Sequence, residues 1–391
     1  MAGAKGPTGN AVPPPPRPSD ALRLRAWSLP LLSGAPPGPP PPVSPDTWDL
    51  FLRGERCAIA LRAAVVARGH SGDVPAAAAR VLEARATREL QRALAARAEI
   101  LRIGSLLAGR GGHGIVLKGG AAALSGTVLD VQDVDLLVPA GAARELAGCL
   151  AAAGYRAAEA DPWEGATEAF HLAPRAARGG LAVEVHVRIP YVDEVEPWRD
   201  PRPSGVPGIA LLPPEDHAWH VLVHAVEHHA ERRGCLRDLL LLRAALAACG
   251  AGQTALVHER ASRHPASAAL LAMLDMAGAL LAGTPPGDPF RGQAALRYLL
   301  AAGGAPFQPG SPRRLAAVAA AAVMIAGEYR TAWLGGPASV ITRPSARGSR
   351  WLDRHLSVLG WVGRAVWRGT RVALVTPAAA RLASAARRAA A

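Results

Sequence analysis

Asp133-Val134-Asp135-Leu136-Leu137-Val138 sets two carboxylates one residue apart at the head of an apolar run. Side chains alternate along a β-strand, so Asp133 and Asp135 point the same way. The apolar residues predict a mostly buried strand over 134–138, with the aspartates at its edge and facing a cleft. Two like charges on one face repel unless something positive stands between them. A divalent cation shared with substrate phosphates resolves that conflict, and Mg²⁺ prefers such oxygen ligands. A pair of surface aspartates at a strand start has the same local sequence, so the flanking segments decide.

Upstream lies Leu117-Lys118-Gly119-Gly120, at the end of a short strand predicted over 115–117. Two glycines after a strand let backbone approach a phosphate closely and present N–H groups to it. Lys118 is one of only two lysines in the chain, the other being Lys5. Its ammonium can neutralise a phosphate as a point charge, or pair with one of the aspartates. Both partners stay open. Downstream, Val183-Glu184-Val185-His186-Val187 falls in a strand predicted over 181–189. Alternation there puts Glu184 and His186 on one face and three valines on the other. If this strand neighbours that of Asp133, three carboxylates converge, enough to hold two metals and activate a hydroxyl nucleophile. A solvated edge face is the alternative for Glu184 and His186.

These segments resemble the DNA polymerase beta-like nucleotidyltransferase superfamily, in which a strand ending in two small residues precedes Asp-x-Asp and a later carboxylate. More closely, Leu117-Lys118-Gly119, Asp133 to Val138, Gly154-Tyr155 and Val183 to His186 look like the bacterial uncharacterised nucleotidyltransferase family. Leu212-Pro213-Pro214-Glu215-Asp216-His217, His224 and Arg237-Asp238-Leu239 fit the helical half of the same family. The likeness runs from about residue 48 to 330. It implies a helix-rich α+β fold, with a small mixed sheet flanked by N-terminal helices and a C-terminal helical lobe. It also implies metal ligation by Asp133, Asp135 and Glu184. Two positions depart from the pattern: Leu129 and Asp130 stand where the family often carries an arginine, and Gly120 where the superfamily often has serine.

The function expected is Mg²⁺-dependent transfer of a nucleoside monophosphate from an NTP to a hydroxyl or phosphate of a small-molecule or protein acceptor. Asp133, Asp135 and Glu184 are the candidate catalytic and metal-binding residues, for two ions. Lys118, Gly119, Gly120, His186, His217 and His224 are the candidate nucleotide-binding residues. The departures motivate a rival, a nucleotide-binding or scaffold protein that keeps the fold without turnover. A third reading comes from His217, His220, His224 and His228, spaced to share one helical face and able to bind Zn²⁺. Facing the cleft, the stripe would donate hydrogen bonds to phosphate or base; His220 and His228 read equally as polar lining between lobes. Asp238 is expected to orient a histidine or an arginine.

The remaining chain sets the frame. Residues 1–45 hold fourteen of the 35 prolines and predict an extended, mostly disordered leader. Ser44-Pro45-Asp46 is a helix start, with one helix expected to about Arg68 and another from Pro75 to Ala108. In the second, Leu90, Leu94 and Leu101 share a face. The loop Gly109 to Gly114 is a connector, since no Gly-Lys-Ser/Thr follows it. The expected divisions are a leader to 45, the α/β core with its helices over 46–212, a helical lobe over 213–335 and a basic tail over 336–391. Four cysteines without a CxxC pair read as reduced thiols of a cytoplasmic protein. Arg343 to Ala391 carries ten arginines against the single acid Asp353, so most of the net charge of +13 sits there. Trp351, Trp361 and Trp367 interleave with those arginines, a pattern suited to an anionic membrane surface or RNA, or to a helix packed back on the body.

Overall fold

The computed structural model describes residues 18–157, 175–177, 180–189, 192, 194–228, 233–264 and 266–302. The basic tail, and the helical lobe beyond residue 302, lie outside the described residues. In the N-terminal part, helices α1 (Pro18–Ser33), α2 (Pro45–Glu55), α3 (Ala58–Ala67) and α4 (Ala76–Ala108) precede the first strand. The α/β part follows as β1 (Gly114–Val116), α5 (Lys118–Leu124), β2 (Asp133–Leu137), α6 (Ala143–Ala152), β3 (Arg156–Ala157), β4 (Arg175–Ala176), β5 (Ala182–His186), β6 (Arg202–Pro203) and β7 (Ile209–Leu211). The helical lobe comprises α7 (Pro214–Val223), α8 (Leu236–Ala247), α9 (Ala251–Arg263), α10 (Ser267–Leu281) and α11 (Arg291–Ala302). The fold is α+β and rich in helix, as the sequence predicted.

The strands form one mixed sheet in the order β3-β4-β5-β2-β1-β7-β6. At its centre β2 runs parallel to β5 and antiparallel to β1. Alternation then sorts the side chains into two layers. Val134, Leu136, Val138, Val183 and Val185 are buried with Ile100, Ile103 and Leu107 of α4 and with Leu146 and Leu150 of α6. Ile115, Leu117 and Leu137 turn the other way, into the core shared with Leu222, Leu236 and Leu239 of the helical lobe. Asp133 and Asp135 belong to the same side as Leu137. The sheet face that carries the carboxylates is therefore the one that meets the lobe.

Two N-terminal expectations are corrected. Residues 18–33 are not an extended leader but helix α1, with Ala21, Leu24, Ser28, Leu31 and Leu32 buried. The overall proline content hid a proline-free stretch from Ser19 to Leu29 whose apolar residues recur at helical spacing. Pro30 sits in the last turn, where one lost hydrogen bond is tolerated. The single helix expected to Arg68 is two helices, because Arg56 takes the left-handed conformation at φ 52° and ends α2. Its start is as read: Ser44 caps the helix, accepting the Thr47 N–H at 3.2 Å. The Leu90, Leu94 and Leu101 face of α4 is the exposed one, and the helix buries Ala86, Ala93, Ala96, Ile100 and Ile103 instead.

A buried charge cluster joins these helices. Glu55, with no exposed surface, accepts hydrogen bonds from Arg25 Nη1 (3.0 Å), Arg297 Nη2 (2.8 Å), the Leu236 N–H (2.7 Å) and the Tyr298 hydroxyl. Arg25 is also forked onto Asp288 at 2.8 and 3.0 Å. One carboxylate thus ties α1, α2, the start of α8 and α11 together. The four cysteines are free thiols. Among the described residues no helix is long and apolar enough to cross a membrane.

Candidate active site

The parallel register pairs Asp135 with Glu184 and Leu137 with His186 on neighbouring strands. Side chains two residues apart on adjoining strands meet on one face, so the condition set by the sequence is fulfilled: the strands of Asp133 and Glu184 are neighbours. Carboxylate oxygens of Asp135 and Glu184 and a ring nitrogen of His186 lie within 4.8 Å of one another. Asp133 stands on the same face, one alternation earlier, and outside that close group.

Asp135 is the most constrained of these groups. It is 3 % exposed, and its Oδ1 accepts from Lys118 Nζ at 2.8 Å and from His186 Nε2 at 2.9 Å. Burial alone would raise its pKa, yet the Lys118 ammonium and the His186 hydrogen bond hold it well below the usual carboxylate range. Of the two partners open to Lys118, the structure shows the aspartate. His186 Nε2 also lies 3.6 Å from Glu184 Oε2. Burial works against its imidazolium, but hydrogen bonds to Asp135 and Glu184 raise its pKa above the ordinary value. Asp133 behaves in the opposite sense to Asp135. Burial, then the charge of Asp135, pushes its pKa up. A carboxylate destabilised in this way is one that a bound cation would relieve. Glu184 is more open than Asp135, with 23 % of its side chain exposed.

The glycines are explained by protein contacts. A Cβ on Gly120 would stand 2.7 Å from Val116 Cγ2 and 3.3 Å from Ile100 Cδ1, so this glycine lets α5 pack on β1 and α4. A Cβ on Gly119 would stand 2.7 Å from Arg237 Nη2. The space left by the two missing side chains is thus filled by Val116, Ile100 and Arg237.

Helix α7 brings the histidines over this face. The His217 ring bonds the backbone of Lys118, and burial lowers its pKa to about 4. It is a neutral hydrogen-bonding group at pH 7, not a cation for phosphate. His220 is fully buried within electrostatic reach of Lys118, Asp135 and His186, and among the described residues neither of its ring nitrogens has a hydrogen-bond partner. Burial, then the Lys118 ammonium, lowers its pKa far below the ordinary value. The His224 ring meets that of His220 edge-on at 6.2 Å. From His224 to His228 the backbone forms a π-helical turn, which breaks the even spacing assumed for the stripe. Among the described residues the group close enough to hold an ion is Asp135, Glu184 and His186, and it includes no member of the stripe.

Two residues, Asp130 and Arg237, were named in the sequence only against the family pattern and given no role in the site. Asp130, fully buried, holds Arg56 Nε at 2.8 Å and Arg92 Nε at 2.7 Å. Its carbonyl accepts from Arg237 Nε at 3.1 Å. Asp238 accepts from Arg237 Nη1 at 2.7 Å, so it orients an arginine, one of the two roles expected for it. A carboxylate inside the apolar run Leu129-Asp130-Val131 was the available signal for Asp130. Arg237 was read only as part of a family-like run, and its Asp130 partner lies more than a hundred residues away.

A sequence model for the family described as uncharacterised nucleotidyltransferase matches residues 46–282, more than half of the chain. Neither the curated proteins nor the solved structures include a significant match. The matched span runs from α2 through α10 and contains the whole carboxylate face, Lys118, the α7 histidines and Arg237. With sheet, lobe and acidic cluster in place, this chain belongs to the uncharacterised nucleotidyltransferase family.

Proposed function

We propose that the protein transfers a nucleoside monophosphate from an NTP to a hydroxyl or phosphate acceptor, with a divalent cation held by Asp135, Glu184 and Asp133. The observation that carries this reading is the parallel pairing of Asp135 with Glu184 on the sheet face toward the helical lobe. Oxygen donors on adjoining strands suit Mg²⁺, and a cation bound there would supply positive charge to the phosphates. The remaining chemistry belongs to the chain. His186 keeps Asp135 aimed, being already hydrogen-bonded to it. Glu184, more open than Asp135, is placed to accept the acceptor's proton. The neutral His217 and His220 are suited to hydrogen bonds with an uncharged base or hydroxyl.

A second reading, nucleotide binding without turnover, is favoured by one observation: Asp135 already has two hydrogen-bonding partners, the Lys118 ammonium and His186. Incubation with each α-³²P-labelled NTP, Mg²⁺ and a panel of acceptors separates the two. Pyrophosphate release and labelling by the unaltered protein, lost in Asp135→Asn and Glu184→Gln variants with unchanged circular dichroism, support transfer. Equal labelling by variants and unaltered protein overturns it. NTP-dependent thermal stabilisation without pyrophosphate release selects the scaffold.

A further inference from the structure

Arg237 is the second residue of α8 and 92 % buried, yet the ties already described use only part of its guanidinium. Nε is directed to the Asp130 carbonyl and Nη1 to the Asp238 carboxylate. These two bonds fix the plane of the group. Nη2 makes no hydrogen bond among the described residues, and it lies across Gly119, in the position a side chain there would contest. Asp130 does not neutralise the arginine, because its own carboxylate is taken by Arg56 and Arg92. The acid left within electrostatic reach, besides Asp238, is Asp133, which has no hydrogen bond or ion pair among the described residues. A locked guanidinium with one edge open, at the seam between helical lobe and carboxylate face, is a preformed anion receptor. Arginine suits this role because its planar fork matches the oxygens of phosphate.

Building on the nucleotidyltransferase reading, we propose that Arg237 is a phosphate-binding residue of the site, its Nη2 edge taking an oxygen of the substrate's polyphosphate. Gly119 is glycine because the guanidinium must pass over it. Substrate recognition then draws on both halves of the protein, with cation ligands from the sheet and the phosphate anchor from the lobe.

The test uses the full chain, with thermal shift and titration calorimetry in Mg²⁺. The four NTPs, the nucleoside matching the best NTP, and inorganic tripolyphosphate are the probes. Arg237→Met is expected to weaken the NTP and tripolyphosphate by about 10- to 100-fold, the range for a hydrogen bond to a charged group. Nucleoside binding should stay as it was, which a merely structural role for Arg237 would not produce. Arg237→Lys should recover only part of the loss. Gly119→Ala serves where Arg237 variants do not fold, since the added Cβ would stand 2.7 Å from Nη2, contest that edge and reproduce the same selective loss. Phosphate-dependent binding by the unaltered protein with equal binding by Arg237→Met and Gly119→Ala overturns this inference and leaves the functional reading standing. An equal loss for nucleoside and triphosphate also overturns it. No NTP or tripolyphosphate binding by the unaltered protein overturns both.

Discussion

Lys118 Nζ reaches Asp135 Oδ1 at 2.8 Å from a backbone held at φ 46°. The left-handed region costs an L-residue roughly 1–2 kcal/mol, so the lysine is held there by its surroundings. Burial opposes its charge, but Asp135, and then Asp133, keep the pKa of the ammonium above its ordinary value. The ammonium occupies the positive position between carboxylates that a metal would also seek.

Competition for that position is measurable. Lys118→Met keeps the strained backbone and the stem but leaves Asp135 with His186 alone. The variant is expected to lose about 3 kcal/mol of stability, as when one partner of a buried pair is removed. Divalent cations should then raise its melting temperature more than that of the unaltered protein, because the ammonium no longer competes. Thermal denaturation with and without MgCl₂ decides it. Equal cation shifts in both proteins would show that metal and lysine do not share the place.

His220 offers a test in the opposite direction. A buried imidazole with neither nitrogen partnered among the described residues carries a desolvation cost of about 1–3 kcal/mol. His220→Leu, close in volume, removes that cost and should raise stability by about 1–2 kcal/mol in urea unfolding. Nucleotide binding or transfer should fall at the same time, since natural sites keep such costs where a ligand later supplies the partner. A variant both less stable and fully active would mean that the ring is ordinary core.

The alternation of Asp133-Val134-Asp135 and of Val183-Glu184-Val185-His186 was readable because a strand writes its two faces into adjacent residues. The helical lobe announced itself in the same way, through Pro213-Pro214 and the long apolar helices that follow. Most of what escaped depends on contacts distant in sequence. Arg56 ends a helix without glycine or proline, through a backbone fixed where its side chain meets Asp130. Arg237 acquires its meaning from Gly119 and Asp130, more than a hundred residues away. Helix α1 was masked by counting prolines over a whole segment when the decisive pattern was the spacing of Ala21, Leu24, Ser28 and Leu31. For Arg56 and Arg237 the missing information was tertiary; for α1 it was local, and a count over the whole segment hid it.

The same kind of distant contact makes Glu55 the residue on which acid stability should turn. Burial pushes its carboxyl up, but Arg297 and Arg25 overcome this and hold its pKa at about 2, against an ordinary 4.5. Between those values the unfolded chain binds more protons than the folded one. The stabilisation from this group is therefore complete above about pH 4.5 and is lost as pH falls through about 2, an amount on the order of 3 kcal/mol. Glu55→Gln removes the charge while keeping the shape, and takes from Arg297 and Arg25 the carboxylate that they share. At pH 7 it should cost about 3–5 kcal/mol. Lowering the pH removes from the unaltered protein what the variant never had, so the two urea midpoints should converge between pH 4.5 and 2.5. Midpoints that stay equally far apart across that window would show that the Glu55 charge is not what clamps α1 and α11 to the matched core.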